Sequence, residues 1–310
     1  MCASKVDPRD AWSLYWQADR LDSCCPARDP ADAAAIHDHW RALADAVPKD
    51  GAVLDLATGN GAVLLRMADR MAETGRRAAL TGVDLAAIDP GRYVRGAGGR
   101  AQVRFMGGVD LAALPFDDGA FDLVTSQFGF EYAPRAAAAR EAARVLRPGG
   151  RLSLLLHHVD SVVYRPNTAQ IQELDGLLAD GGVVGCLLEF LEAPGAAAMT
   201  RLEAAGTRYQ AGYPGGLPRL SRQVFDSVGT LLNRQDLGPE VRCQAGHDMR
   251  RRMLAERARM EQLQQAGLDG DAAQALVAML DQAGVRGTIT PFRNGAGLLI
   301  GWLYAGERRA

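Results

Sequence analysis

Apolar and polar positions along this chain fall into three regimes. Between residues 51 and 159, short apolar runs alternate with segments of helical period. The runs predict strands at Ala52–Ala57, Ala79–Asp84, Gln102–Met106, Phe121–Gln127 and Arg151–His157, with helices at Ala62–Glu73 and Pro134–Leu146. Arg147-Pro148-Gly149-Gly150 stops the second helix and turns the chain into the next strand. The glycine-rich segment from Ala86 to Gly99 reads as loop or a poor helix. Strand and helix in alternation imply a parallel sheet covered on both faces.

The flanking regimes differ. Residues 1–50 are helical in pattern, with Trp12, Tyr15 and Trp16, then Ile36, Trp40 and Leu43, at helical spacing and a break at Cys24-Cys25-Pro26. Residues 160–285 carry one helical pattern after another without a strand. One stripe is Leu220, Val224, Phe225, Val228, Leu231 and Leu232; another is Leu268, Leu276, Met279 and Leu280, with Asp271 as its expected N-cap. Residues 286–310 hold two strand-like runs, Thr288–Arg293 and Leu298–Tyr304, joined through Asn294-Gly295-Ala296-Gly297 as a hairpin. The expected architecture is α/β: a Rossmann-like, mostly parallel seven-stranded sheet with helices on both faces, N-terminal helices, and a long helical insertion before a C-terminal antiparallel hairpin.

Composition narrows the partners. A formal charge of -2 over 310 residues gives no reason to expect a nucleic acid. No apolar run is long enough for a membrane span, and the first ten residues lack the apolar stretch of a signal peptide. The five cysteines are odd in number and lack zinc spacing, which suggests a reducing cytoplasm. His37 and His39, two apart on a helix, do not share a face, so no metal site is expected.

The most informative stretch is Val53-Leu54-Asp55-Leu56-Ala57-Thr58-Gly59-Asn60-Gly61-Ala62. A buried strand ends in a small glycine-containing turn and re-emerges as an apolar helix. Such a turn brings backbone close to a ligand and adds the free N–H groups of a helix start, a cradle for the polar end of a nucleotide-like molecule. From Asp55 to Gly61 it resembles motif I of class I S-adenosylmethionine-dependent methyltransferases, with Ala57 where that motif often has its first glycine. Thr81-Gly82-Val83-Asp84-Leu85 resembles the second-strand motif. Asp110 to Phe116 and Phe121 to Phe128 resemble the third- and fourth-strand motifs, and Val145 to Leu152 the segment before strand five. The ordered set fits that family better than a nicotinamide dinucleotide fold, which would share only the first turn and the acidic residue on strand two. The resemblance is strongest to the branch of ubiquinone- and sterol-type small-molecule enzymes.

The resemblance implies a division of labour. Residues 51–159 would form the cofactor-binding core, 1–50 a helical cap, 160–285 a lid or substrate insertion, and 286–310 the hairpin that completes the sheet. Asp55, Ala57, Gly59, Asn60 and Gly61 would cradle the amino-acid end of S-adenosylmethionine. Asp84, with Leu85 beside it, would accept the ribose hydroxyls, and Asp110 and Leu111 would hold the adenine. Gln127 would face the sulfonium and the acceptor. A base would come from His157, His158, Glu131 or Tyr132, at the ends of strands five and four. Leu187, Leu188, Phe190, Tyr213 and Phe225 would roof an apolar acceptor. The implied activity is cytoplasmic methyl transfer to an O or N nucleophile of a small, aromatic secondary metabolite, leaving S-adenosyl-L-homocysteine. A non-catalytic S-adenosylmethionine-binding regulator and a methyltransferase acting on a macromolecule stay open as alternatives, as does a homodimer.

Overall fold

A computed structural model describes residues 6–18, 20–23, 30–94, 103–234 and 236–310. The expected break at Cys24-Cys25-Pro26, Cys2, Gln102 and the end of the glycine-rich segment lie outside the described residues. Helices α1 (Pro8–Gln17) and α2 (Pro30–Ala46) precede the first strand. Strand β1 (Gly51–Leu56), helix α3 (Ala62–Glu73) and strand β2 (Ala78–Asp84) form the first parallel unit. The single turn α4 (Gly91–Val94), β3 (Val103–Gly107), β4 (Phe121–Gln127), α5 (Arg135–Val145) and β5 (Leu146–Leu156) follow. Then come α6 (Asn167–Leu178), α7 (Val183–Glu192), α8 (Ala196–Ala211), α9 (Arg219–Asn233), α10 (Pro239–Ala266), α11 (Gly270–Gln282) and the hairpin β6 (Val285–Arg293) and β7 (Leu299–Arg308). The strands make one seven-stranded sheet in the order β3-β2-β1-β4-β5-β7-β6. The five strands β1 to β5 run parallel, and β7 pairs antiparallel with both β5 and β6.

Two apolar layers sandwich this sheet, sorted by the two-residue period of the strands. Leu54 and Leu56 of β1 and Leu152, Leu154 and Leu156 of β5 point to one face, against Ala138, Ala139, Ala142 and Ala143 of α5 and Leu276 and Leu280 of α11. The alanine stripe keeps α5 thin and close to the strands. Val53 and Leu155 point to the other face, under Ile36, Trp40 and Ala44 of α2 and Val63, Leu64 and Met67 of α3. The same alternation sends Asp55, Ser153 and His157 to the α2–α3 side and His158 to the other.

Three elements differ from the expectation. Arg147-Pro148-Gly149-Gly150 does not merely precede β5. Leu146 already pairs with Phe121, and the register resumes at Leu123 with Arg151, so the four residues bulge out of one continuous strand, with Gly149 at φ 75°. Helix α11 is capped by Asp269, whose carboxylate accepts from the Ala272 N–H at 2.8 Å, and not by Asp271. Asp269 holds the extended backbone a cap needs, whereas Asp271 already lies inside the helix. The Leu276–Leu280 stripe belongs to the sheet's core, beside α5.

The chain divides into two compact units, one made of residues 12–165 and 262–310 and one of residues 1–11 and 166–261. The second holds α6 (Asn167–Leu178), α7 (Val183–Glu192), α8 (Ala196–Ala211), α9 (Arg219–Asn233) and most of α10 (Pro239–Ala266). It has its own apolar core, including Leu174, Leu177, Leu187, Leu191, Leu202 and Val228. No described helix is long and apolar enough to cross a membrane.

Candidate functional site

The C-terminal ends of β1, β2 and β4 meet where the strand order reverses, between β1 and β4, the place where an open parallel sheet leaves a crevice. The turn after β1 is strained in the left-handed region: Ala57 at φ 50°, Gly59 at 53° and Gly61 at 89°. For Ala57 this costs about 1–2 kcal/mol relative to glycine. The substituent also has little room, because a Cβ built on Gly129, in the turn after β4, would lie 2.4 Å from the Ala57 Cβ. The two turns touch, and together they accommodate one methyl group.

Two buried carboxylates fix this turn. Asp55 sits opposite Thr125 in the β1–β4 register and accepts from its hydroxyl at 2.8 Å, while the Thr58 hydroxyl donates to the other oxygen at 2.7 Å. Burial pushes its pKa up to about 7, against the pull of both hydroxyls, and the Asp84 charge adds to the rise. Asp84 ends β2 and accepts from the Gly59 N–H and the Ala86 N–H, each at 2.8 Å, on separate oxygens. Burial raises it to about 6, again against two donors. Each Asp84 oxygen carries one backbone bond and keeps a lone pair for a further donor. The β3 exit is tied to the same point, since the Val109 N–H donates to the Asp84 carbonyl at 2.9 Å. Asp110, next in sequence, is exposed and accepts from the Ala112 N–H, while Leu111 is buried. Leu85 is 46% exposed beside these carboxylates.

Asn60 faces elsewhere. It is fully buried, donates to the carbonyls of Trp16 and Arg20 at 2.9 and 2.7 Å, and accepts from the Asp89 N–H at 2.9 Å. It therefore straps the segment after α1 onto the turn. The Trp16 ring closes over Gly59, whose missing Cβ would lie 2.3 Å from it. A cavity of about 20 Å³, room for a water molecule, remains among Trp16, Leu21, Asp22, Ser23, Asp55, Ala57, Thr58, Ala62 and Gln127. Gln127 lines this cavity while its side-chain oxygen accepts from the Trp40 indole at 2.7 Å.

The residues expected to supply a base divide into two groups. Glu131 and His157 are both buried, and one Glu131 oxygen accepts from the His157 ring Nδ1 at 2.7 Å and from its backbone N–H at 2.8 Å. The other Glu131 oxygen is buried without a hydrogen-bond partner. The His157 carbonyl accepts from the Leu268 N–H, which fixes the strand end. Phe128 lies 4.6 Å from the His157 ring, and Tyr132 meets it edge-on at 5.8 Å. Tyr132 also meets Trp12, which packs against Tyr15 and Trp16. His158 stands apart on the opposite face, stacked on Trp302 at 4.4 Å, with Nδ1 accepting from the Asp160 N–H. Burial lowers its pKa.

Sequence reasoning missed Thr58 and Thr125 as partners of Asp55, the cover formed by Trp16, and the Trp40–Gln127 bond. Only Thr58 left a local signal, a hydroxyl three residues after a buried acid. Of the residues expected to roof an acceptor, Leu187 and Leu188 are buried, and Phe190 and Phe225 pack against the helical unit's own core.

The polar groups of this crevice fit S-adenosylmethionine. Gly59 and Gly61 hold the left-handed turn, Asp84 has lone pairs that suit a diol, and the exposed Asp110 suits an adenine amino group. Residues 53–150 match the family model described as a methyltransferase domain. The chain is similar to the demethylmenaquinone methyltransferase of Thermus thermophilus, 44% identical over 105 residues, which cover 33% of this chain and 46% of that one. It is also similar to the ubiquinone/menaquinone biosynthesis C-methyltransferase of Paracoccus denitrificans, 38% identical over 124 residues, covering 39% and 49%. The chain thus spans about half the length of the curated relatives it matches. Among solved structures it is similar to an S-adenosylmethionine-dependent methyltransferase from Mesorhizobium loti, 25% identical, covering 41% of this chain and 56% of that one, with a TM-score of 0.32.

Proposed function

We propose that this chain transfers a methyl group from S-adenosylmethionine to an O or N nucleophile of a small aromatic metabolite. The observation that carries the reading is the buried Glu131–His157 pair at the ends of β4 and β5, beside the motif I turn. When bound, the cofactor supplies an electrophilic methyl on a cationic sulfur. Gly59, Gly61 and Asp55 would hold its amino-acid end, Asp84 its ribose, and Asp110, Leu85 and Leu111 its adenine. Entry of the amino-acid end requires Trp16, Leu21, Asp22 and Ser23 to move outward, because they now line the cavity.

The chain's own residues prepare the nucleophile. With its ring Nδ1 held by Glu131, His157 would take the acceptor's proton once the site opens, and Glu131 would stabilise the imidazolium that forms. Its orphan oxygen strengthens that role, since a second buried lone pair gains from a positive ring. Trp12, Tyr15 and Tyr132 would supply flat apolar surface for an aromatic acceptor and help to exclude water from the reacting atoms.

The test is methyl transfer from labelled S-adenosylmethionine to a panel of phenols and nitrogen heterocycles. We expect a methylated product with wild type and a loss of about 100-fold or more in His157→Ala. A folded protein that neither binds S-adenosylhomocysteine nor yields product would overturn the reading. A second reading is C-methylation of a phenolic ring, favoured by the Paracoccus relative's name; phenol deprotonation by the same pair would activate the ring carbon, and the position of the label separates the two. Cofactor binding without turnover would instead mark a regulator, and label in RNA or protein would mark a macromolecular acceptor.

A further inference from the structure

In the helical unit, one corner brings together three different metal-ligating side chains. Cys243 and His247 lie four residues apart on α10 and so share a face. Glu192 is the last residue of α7. One carboxylate oxygen of Glu192, the Cys243 sulfur and a ring nitrogen of His247 all lie within 4.8 Å of one another, and His247 Nε2 is 3.0 Å from Glu192 Oε1.

The packing explains why the three meet. Gly246 lets α10 ride directly on α7: a Cβ there would come 2.8 Å from Leu191 and 2.9 Å from Leu188. The Leu191 side chain, one residue before Glu192, therefore reaches α10 one residue before His247. Leu187 and Leu191 are buried beneath, and Cys243 is half-buried against the same core. The Glu192 and His247 side chains are about half exposed, at 54% and 48%, so an ion can reach them from solvent. The Cys243 sulfur comes from the core side and the other two atoms from the solvent side.

We infer that Glu192, Cys243 and His247 form a zinc site that clamps α7 to α10. Thiolate, imidazole and carboxylate are each ordinary zinc ligands, with bonds of roughly 2.0–2.3 Å, and three of them leave one tetrahedral position for water or an added ligand. The thiolate selects zinc, cobalt or copper(I) and disfavours magnesium and calcium, which prefer oxygen donors. Sequence spacing conceals the site, because Glu192 is more than fifty residues from its partners.

Cobalt(II) and zinc(II) are the probes. The vicinal Cys24–Cys25 pair is a competing thiol site, so the titration uses the full chain with Cys2, Cys24 and Cys25 replaced by serine. We expect one cobalt per chain with a thiolate-to-cobalt charge-transfer band, bleached by zinc and unaffected by magnesium. Cys243→Ser should abolish the band, and Glu192→Gln and His247→Gln should each weaken zinc binding at least tenfold. Peptide mapping of wild type gives a reading that needs no variant: zinc should slow alkylation of Cys243 at least tenfold and leave buried Cys186 unaffected. Absence of the band in the triple-serine protein, its persistence in Cys243→Ser, or equal alkylation of Cys243 with and without zinc would each overturn the inference.

Discussion

Asp84→Asn separates the two tasks assigned to this carboxylate, bracing the turn and holding the cofactor. Its pKa is raised from 3.8 to about 6 in the fold, so it stabilises most below the unfolded value, and that contribution is lost as pH rises through 6. At pH 8 the ionised form costs on the order of 3 kcal/mol, at roughly 1.4 kcal/mol per pKa unit. Asparagine removes that cost. It leaves one of the two N–H groups of Gly59 and Ala86 facing an amide NH₂, a loss of about 1–3 kcal/mol. The terms oppose, so the variant stays folded at pH 8 within about 2 kcal/mol of wild type. Binding has no such compensation. One ribose hydroxyl loses a charged acceptor, about 1.5–3 kcal/mol, so S-adenosylhomocysteine should bind 10- to 150-fold more weakly. Calorimetry from pH 5 to 8 adds a second reading. Wild-type affinity should fall as pH drops below 6, and the variant should lack that component. Asp55 titrates close by, so the difference between the two profiles isolates Asp84. A folded Asp84→Asn with wild-type affinity and an unchanged pH profile would refute the assignment.

Asp55, raised to about 7, makes a contribution that is full below about pH 4 and lost as pH rises through 7. The unfolding free energy of wild type from urea titrations should therefore decline over that window, by up to about 4 kcal/mol, and Asp55→Asn should flatten the decline; identical slopes would contradict the burial argument. Gly129→Ala should cost about 1–3 kcal/mol by overpacking against the Ala57 methyl. Most of that cost should vanish in the Ala57→Gly background, and additive effects in the double-mutant cycle would mean the two turns are not coupled. Asn60→Ala removes three bonds to Trp16, Arg20 and Asp89 and should cost about 2–4 kcal/mol. It should also speed proteolytic cleavage between residues 12 and 23 under native conditions, and unchanged cleavage would show that Asn60 is not the strap.

The strand–turn–helix units and the closing hairpin were legible because both depend on local periods and turn residues. Asp84 was legible for the same reason, as an acid ending an apolar run. What stayed hidden depends on distant partners. Asn60 looked like one more residue of a ligand loop, and only the fold shows that its amide serves Trp16 and Arg20, some forty residues earlier. Glu131 and His157 were each selected for standing at strand ends, but nothing local says that one holds the other. The stripe of α11 declared an apolar face without declaring its partner, so its place on the sheet could not be read. Arg147 to Gly150 announced a turn correctly; whether a turn ends a strand or bulges from it is decided by the neighbour, here Phe121 to Leu123.

The sheet's connectivity also sets an order of assembly. In the finished fold Leu152 pairs with Gly306, and Leu154 with Tyr304, about 150 residues further along. A ribosome adding roughly 5–20 residues per second needs about 8–30 seconds to cover that interval. Throughout it, the newly made Leu152–Leu156 run, already paired with β4 on one side, presents a bare leucine-rich edge on the other, the kind of edge that recruits foreign strands. The helical unit emerges during this wait, and β7 is the strand that ends it. A chain stopped near residue 290 would carry the turns after β1 and β4 but leave that edge unpaired, so it should aggregate more readily than the chain that includes β7.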